Sequence, residues 1–133
     1  MPTDLRIVIP NRPGTLANTL EVLANAEVNV QAMCGDIRPG ERWGFLHILV
    51  DDAGSARSTL DKAGIEVADE HDVVIHQVEN RPGTALEVIK QYHGEDRNIE
   101  VLYSKDDGGL IIGTEDMRPQ RPGVKMKDAR YPT

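Results

Sequence analysis

Leu5, Ile7 and Ile9 take every second position, with Arg6 and Val8 between them, and this alternation predicts a strand with one face on a core. Pro10 stops it and Asn11–Gly14 form a turn. Leu16, Leu20, Leu23 and Ala24 then fall at helical spacing among polar Asn18, Thr19, Glu21 and Asn25, with Thr15 or Asn11 available as a cap. Alternation returns over Val28–Cys34. The turn signal Arg38-Pro39-Gly40-Glu41 and the apolar run Trp43–Val50 make the pair a hairpin. Asp51 and Asp52 can start a second helix with Ala56, Leu60 and Ala63 on one face, and Gly64 can end it. Ile65 and Val67 open a last strand.

A second unit follows the same order and stops early. Val73–Val78 predicts a strand, and Ala85, Leu86, Ile89 and Tyr92 a helix ending at Gly94. Ile99–Ser104 and Leu110–Thr114 predict a hairpin around Asp106-Asp107-Gly108-Gly109. The first unit, residues 5–70, thus reads βαββαβ, the ferredoxin-like order, in which an antiparallel sheet carries its helices on one face. The second, residues 72–117, is truncated to βαββ. The fold class expected is α+β with tandem ferredoxin-like units. Without a last strand, the second unit's first strand lies at a sheet edge, and edges attract partners. The expectation is that this edge pairs with the other repeat or with a second chain. Residues 118–133 contain Pro119, Pro122 and Pro132 and no apolar stripe, and they read as a flexible basic tail.

The segment Asn11-Arg12-Pro13-Gly14-Thr15 recurs as Asn80-Arg81-Pro82-Gly83-Thr84, sixty-nine positions on, each time between a strand and a helix. Such a junction presents free backbone N–H groups and a partial positive charge to a ligand. Gly14 and Gly83 permit close approach. Asn11 and Asn80 offer both donor and acceptor, and Arg12 and Arg81 a forked cation. The plainer reading is that Pro-Gly makes a tight turn, Asn caps the helix and Arg is solvated.

These residues resemble the ACT domain family. The likeness lies in Leu5–Ile9, the turn Asn11–Ala17 and the strand opening Asn29-Val30-Gln31. It recurs in Val73–Val78 and Asn80–Leu86, and it spans about residues 5–117. The resemblance implies a non-catalytic regulatory protein whose paired units hold an amino acid or similar zwitterion at their interface. By position it marks Asn11, Pro13, Gly14, Thr15, Leu16, Asn29, Val30 and Gln31. In the second copy it marks Asn80, Pro82, Gly83, Thr84 and Ala85. Many family members carry an acidic residue where this chain has Asn11 and Asn80, so a ligand's ammonium meets an amide oxygen here. The implied partners are an amino acid, a second copy in a homodimer and a metabolic enzyme. The alternative is a docking subunit of such an enzyme that binds no ligand.

The net charge is −7, and residues 118–133 carry five basic side chains against Asp128 alone, which leaves −11 for the rest. That argues against nucleic-acid binding by the folded part. The tail is read as a solvated end, with docking on an acidic partner as the sharper alternative. Cys34 is the one cysteine, so the expected home is reducing and cytoplasmic. No apolar run approaches a membrane span, and Asp4 and Arg6 interrupt the early apolar run that a signal peptide needs.

Other chemistry is thinner. Cys34 and His47 fall on one sheet face if the hairpin pairs Arg38 with Glu41, but no tight metal-ligand spacing accompanies them, so no metal or other cofactor is expected. Cys34 is expected as a buried small hydrophobe. His71 and His76, five apart, lie on opposite faces of a regular strand. Ser55, Ser58 and Ser104 have no evident base, and the pairs Asp51-Asp52 and Asp106-Asp107 suit caps and turns. Gly108-Gly109 lacks the Lys-Ser/Thr of a phosphate loop. Trp43 and Phe45 share a face and are assigned to packing or an interface.

Overall fold

The computed structural model describes residues 2–119. The first unit contains β1 (Thr3–Pro10), α1 (Thr15–Asn25), β2 (Ala32–Asp36), β3 (Trp43–Val50), α2 (Ala53–Lys62) and β4 (Val67–Asp72). The second contains β5 (Val74–Gln77), α3 (Thr84–Gly94), β6 (Ile99–Ser104), β7 (Gly109–Thr114) and a single 3-10 turn (Glu115–Met117). These form two antiparallel sheets, ordered β2-β3-β1-β4 and β5-β7-β6.

The alternation in β1 and β3 sorts their side chains onto two faces. Leu5, Ile7 and Ile9 join Leu46, Ile48 and Val50 beneath α1 and α2, where Leu23, Ala56 and Leu60 meet them. Asp52 caps α2 by accepting from the Ser55 N–H at 3.0 Å, and Gly64 leaves the helix at φ 73°. On the same side the Glu70 carboxylate, buried under α2, pairs with Arg57 at 2.7 Å.

The opposite face of this sheet, carrying Asp4, His47 and Leu49, packs on the second sheet. Leu49 and Ala32 meet Val73, Ile75, Val101, Tyr103 and Ile111. The second sheet's other face, with Leu110 and Ile112, lies under α3 through Tyr92 and Val88. The result is four layers: helices, four strands, three strands, helix. A bulge between Ile99 and Val101 lets these two residues serve opposite faces of β6.

The seam between the sheets is partly polar. Asp4, only 2 % exposed, accepts from the Tyr103 hydroxyl at 2.8 Å and lies 2.9 Å from His47 Nδ1. His71, also buried, sits between the Asp72 carbonyl at 2.7 Å and Glu100 at 3.2 Å. Gly113 admits the imidazole, because a Cβ there would come within 2.8 Å of Nδ1. Arg118 closes the seam with a bond to Glu100 at 2.7 Å and one to Asp69 at 3.0 Å. This guanidinium is the first reason the Glu100 carboxyl lies below its ordinary pKa; burial opposes it and the His71 bond adds to it.

Several expectations are corrected. β5 lies at a sheet edge as expected, but the two units join through sheet faces and not through that edge; β5 pairs with β7, and the Val73 N–H reaches the Pro2 carbonyl at 3.2 Å. β2 begins at Ala32, since Val28 and Val30 turn inward to the α1–α2 core before the ladder starts. The hairpin register sets Cys34 opposite His47, two residues from the pairing expected, and Cys34 is exposed on the edge strand. His71 and His76 belong to different strands, β4 and β5. Arg118, assigned to the tail, is bound at the seam, and residues 120–133 of that tail lie outside the described residues.

Tyr103 carries a testable consequence. Burial first, then the Asp4 charge and the bond to it, hold its phenol protonated far above the ordinary value. The unfolded chain ionises this group near pH 10. The contribution is therefore complete below about pH 10 and declines as the pH rises beyond it. Tyr103→Phe is expected to lose about 1–3 kcal/mol in urea unfolding at neutral pH. Its stability is expected to fall less steeply than wild type above about pH 10.

Candidate functional site

The two Asn-Arg-Pro-Gly-Thr turns have nearly superposable geometry. Gly14 and Gly83 take φ 91° and 87° just before their helices, with no side-chain cap at either. The Thr15 hydroxyl donates to the Pro10 and Arg12 carbonyls at 2.6 and 3.0 Å; that of Thr84 donates to Glu79 and Arg81 at 2.7 and 3.2 Å. The threonines thus tie each turn back to its strand, and the side-chain cap offered by Thr15 or Asn11 is not formed. The repeat continues past the helices. Glu27 and Asp96, again sixty-nine apart, are the two non-glycine residues with positive φ among those described, at 58° and 55°. This second match escaped the sequence reading because Glu27 and Asp96 are not glycines, the usual mark of such a position.

Each turn opens on a cavity, and the two are walled differently. The first, of about 610 Å³, is bounded by Pro13, Gly14 and Thr15, by Trp43 and by the α2–β4 loop through Ile65. The second, of about 750 Å³, is bounded by Asn80, Gly83, Thr84 and Ala85, and by the β6–β7 hairpin. The difference arises because, among the described residues, unit two has no counterpart of α2 or of the α2–β4 loop. Among the charged side chains beside the second cavity, Arg81 pairs with Glu79 at 2.8 Å and Lys105 lies 3.7 Å from Asp107. A larger cavity of about 690 Å³ lies beyond the first, between α2 and its following loop, with Arg57, Ser58 and Asp61 on its wall and Gly64–Glu66 shared.

The residues marked by the resemblance separate into groups. Pro13, Gly14 and Thr15 border the first cavity. Asn11 instead spans the β2–β3 hairpin: its amide donates to Glu41 O at 2.7 Å and its backbone N–H to Arg42 O at 2.8 Å. It borders a smaller hollow with Arg42 and Trp43. Leu16 is exposed on α1 and borders none of these cavities. Asn29, Val30 and Gln31 lie at the other end of the sheet. The Gln31 N–H bonds to Leu49 O, whereas the turn adjoins Trp43, and the six residue steps along β3 from Trp43 to Leu49 amount to roughly 20 Å. One unit therefore cannot bring its own turn and its own Asn29–Gln31 onto one small ligand. In the second copy Asn80, Gly83, Thr84 and Ala85 come together, while Pro82 is outside the cavity wall.

The alternative chemistries have weak geometric support. Among the described residues no group of three or more His, Cys, Asp or Glu side chains is placed to hold a metal ion. Trp43 and Phe45 pack with Val8 and Ala68, and the Arg6 guanidinium lies 3.7 Å above the Phe45 ring. No helix among the described residues is long and apolar enough to cross a membrane.

A family model described as "ACT domain pair" matches residues 2–128. The chain belongs to the ACT domain pair family. Among solved structures, protein BT0572 from Bacteroides thetaiotaomicron is similar at 27 % identity and a TM-score of 0.71, over 85 % of this chain and 77 % of that one. The ligand-free regulatory subunit of aspartate kinase from Thermus thermophilus shares the fold at 14 % identity and a TM-score of 0.62, over 85 % and 82 %. No curated protein matches the chain. Among the described residues this ACT pair joins a βαββαβ unit by its sheet face to a βαββ unit.

Gly14 has open space where a Cβ would stand, so the conformation alone opposes substitution. Gly14→Ala is expected to cost about 1 kcal/mol or more, and Gly14→Asn less, because asparagine tolerates the left-handed region better. Urea unfolding of the two variants checks the order; equal costs would show that the turn relaxes to another conformation.

Proposed function

We propose that this ACT pair is a non-catalytic regulatory protein that binds an amino acid or similar small zwitterion at its Pro-Gly turns and modulates a partner protein. The observation that carries the reading is the duplicated turn. Two segments sixty-nine residues apart hold a left-handed glycine, a threonine latch and a helix start in the same geometry, each beside a cavity. A ligand carboxylate suits the unpaired N–H groups and positive end of the helix. The amide oxygen of Asn80 suits an ammonium in the second site, where the side chain is exposed on the cavity wall.

The separation of Asn29–Gln31 from the turn supports a homodimer in which one copy's turn meets the other copy's strand opening. The open edges β2 and β6 are suited to such pairing, with Met33 and Leu102 about half exposed on them. The same edges favour the second reading, a ligand-free docking subunit of a metabolic enzyme. The regulatory subunit of aspartate kinase shares the fold and belongs to a metabolic enzyme, the partner class that this second reading takes. A reducing, cytoplasmic setting suits an exposed, single thiol. In either case a ligand acts on the partner only through its differential affinity for two arrangements of the assembly.

A thermal-shift screen of the purified protein against the twenty amino acids tests the proposal. A ligand at about 100 times its dissociation constant is expected to add roughly 2.7 kcal/mol of stability. Gly14→Val and Gly83→Val are expected to lose that shift at whichever turn binds. A flat response, with a stoichiometric enzyme co-purifying, would replace this reading by the docking subunit.

A further inference from the structure

The face of the first sheet that carries Asp4, His47 and Leu49 does not end with the residues that meet the second sheet. Val8 and Phe45, opposite each other in the β1–β3 register, continue it by alternation. With Ala68 of β4 they form a separate apolar cluster, and Trp43 packs against it. Val8, Phe45 and Ala68 are only 6, 3 and 5 % exposed. Among the described residues the cluster draws no apolar side chain from the helices or from the second sheet, and the Arg6 guanidinium lies on the Phe45 ring. An apolar sheet face buried this well has chain packed on it, as the helices and the second sheet do elsewhere in the fold.

We propose that this half of the face is the docking surface for the chain's own C-terminal segment, residues 120–131. Arg118 is bound to Asp69, the neighbour of Ala68 in β4, so the chain passes Pro119 at the margin of the cluster. Ala68, Val8 and Phe45 stand on the adjacent strands β4, β1 and β3, a width of about 10 Å. About three extended residues cross that width, and fourteen follow Pro119. Among them Val124 and Met126 alternate with Lys125 and Lys127, a pattern too short to announce a strand but suited to one apolar and one wet side. The segment carries Arg121, Lys125, Lys127 and Arg130 against Asp128 alone. The rim of the cluster is acidic: Asp36 stands opposite Phe45 in the β2–β3 register, Asp69 follows Ala68, and the Glu66 carbonyl takes the Val8 N–H. The family model's match also continues to residue 128, nine positions past Pro119. Trp43 belongs both to this cluster and to the wall of the first cavity. The docked segment therefore fixes the indole, whatever that cavity holds, and the inference stands apart from the turn-site reading.

The test uses the full chain and two readouts: tryptic cleavage after Lys125, and acrylamide quenching of Trp43, the sole tryptophan. Cleavage follows the undocked fraction, so it is expected to run at least about tenfold slower than in a synthetic peptide of residues 118–133. The double variant Val124→Ser, Met126→Ser is expected to bring cleavage to the rate of its own matched peptide and to raise the quenching of Trp43. Wild-type cleavage at the peptide's rate would overturn the proposal, as would protection that the double variant keeps. Restored cleavage with Trp43 quenching unchanged would put the segment on another face and overturn it too. Protection that disappears on dilution would assign the cover to a second copy and overturn docking within one chain.

Discussion

Asp4 is a carboxylate on an apolar strand, almost fully buried, and an unpaired charge there would be ruinous to the fold. Its two oxygens are answered by His47 on the neighbouring strand and by the Tyr103 hydroxyl from the other unit. That arrangement obliges the second sheet to sit where it does. Once Tyr103 is anchored, Val101 and Ile111 cover Leu49, and the rest of the seam follows. His71 fits against Gly113, and Arg118 spans Asp69 and Glu100 at the margin. Among the described residues the second unit has one α-helix for two apolar sheet faces, so its other face is covered by the first unit.

The duplicated turn illustrates how a repeat keeps a conformation while changing a surface. The positive φ at Gly14 and Gly83 and the hydroxyl latches of Thr15 and Thr84 are local, set by the same residues in both copies. The cavity walls come from distant segments, and these differ because unit two has no counterpart of α2 among the described residues. The first turn is also fastened by Asn11 to the β2–β3 hairpin. Asn80 makes no such bond among the described residues, so an identical residue type performs different work at equivalent positions.

The elements themselves were legible because alternation and helical spacing are properties of consecutive residues. Leu5, Ile7 and Ile9 on one side of β1, the Asp52 cap and the Gly108 hairpin were all readable that way. The family could be read from the repeated turn for the same reason. What sequence could not supply was the meeting of the sheets. Asp4 and Tyr103 are ninety-nine residues apart, and nothing in either local pattern names the other. The edge rule rightly put β5 at a sheet edge, but the two units meet through their faces, where Leu49, Val73, Val101 and Ile111 are buried together. The candidate site divides along the same line: the turn's conformation was legible in its Pro-Gly-Thr residues, and the placement of Asn29–Gln31 at the far end of the sheet depended on the three-dimensional path.

The ninety-nine-residue span between Asp4 and Tyr103 also orders events during synthesis. All strands of the first sheet exist once Asp72 has been added, while the face holding Asp4, His47 and Leu49 has no cover until β6 emerges. At ribosomal rates the interval from Asp72 to Tyr103 is a few seconds, on the order of 2–6. During that time a nascent chain carries an apolar sheet face with a carboxylate at its centre. A charged carboxylate on that face favours water over apolar contact until the Tyr103 hydroxyl arrives to take the place of that water.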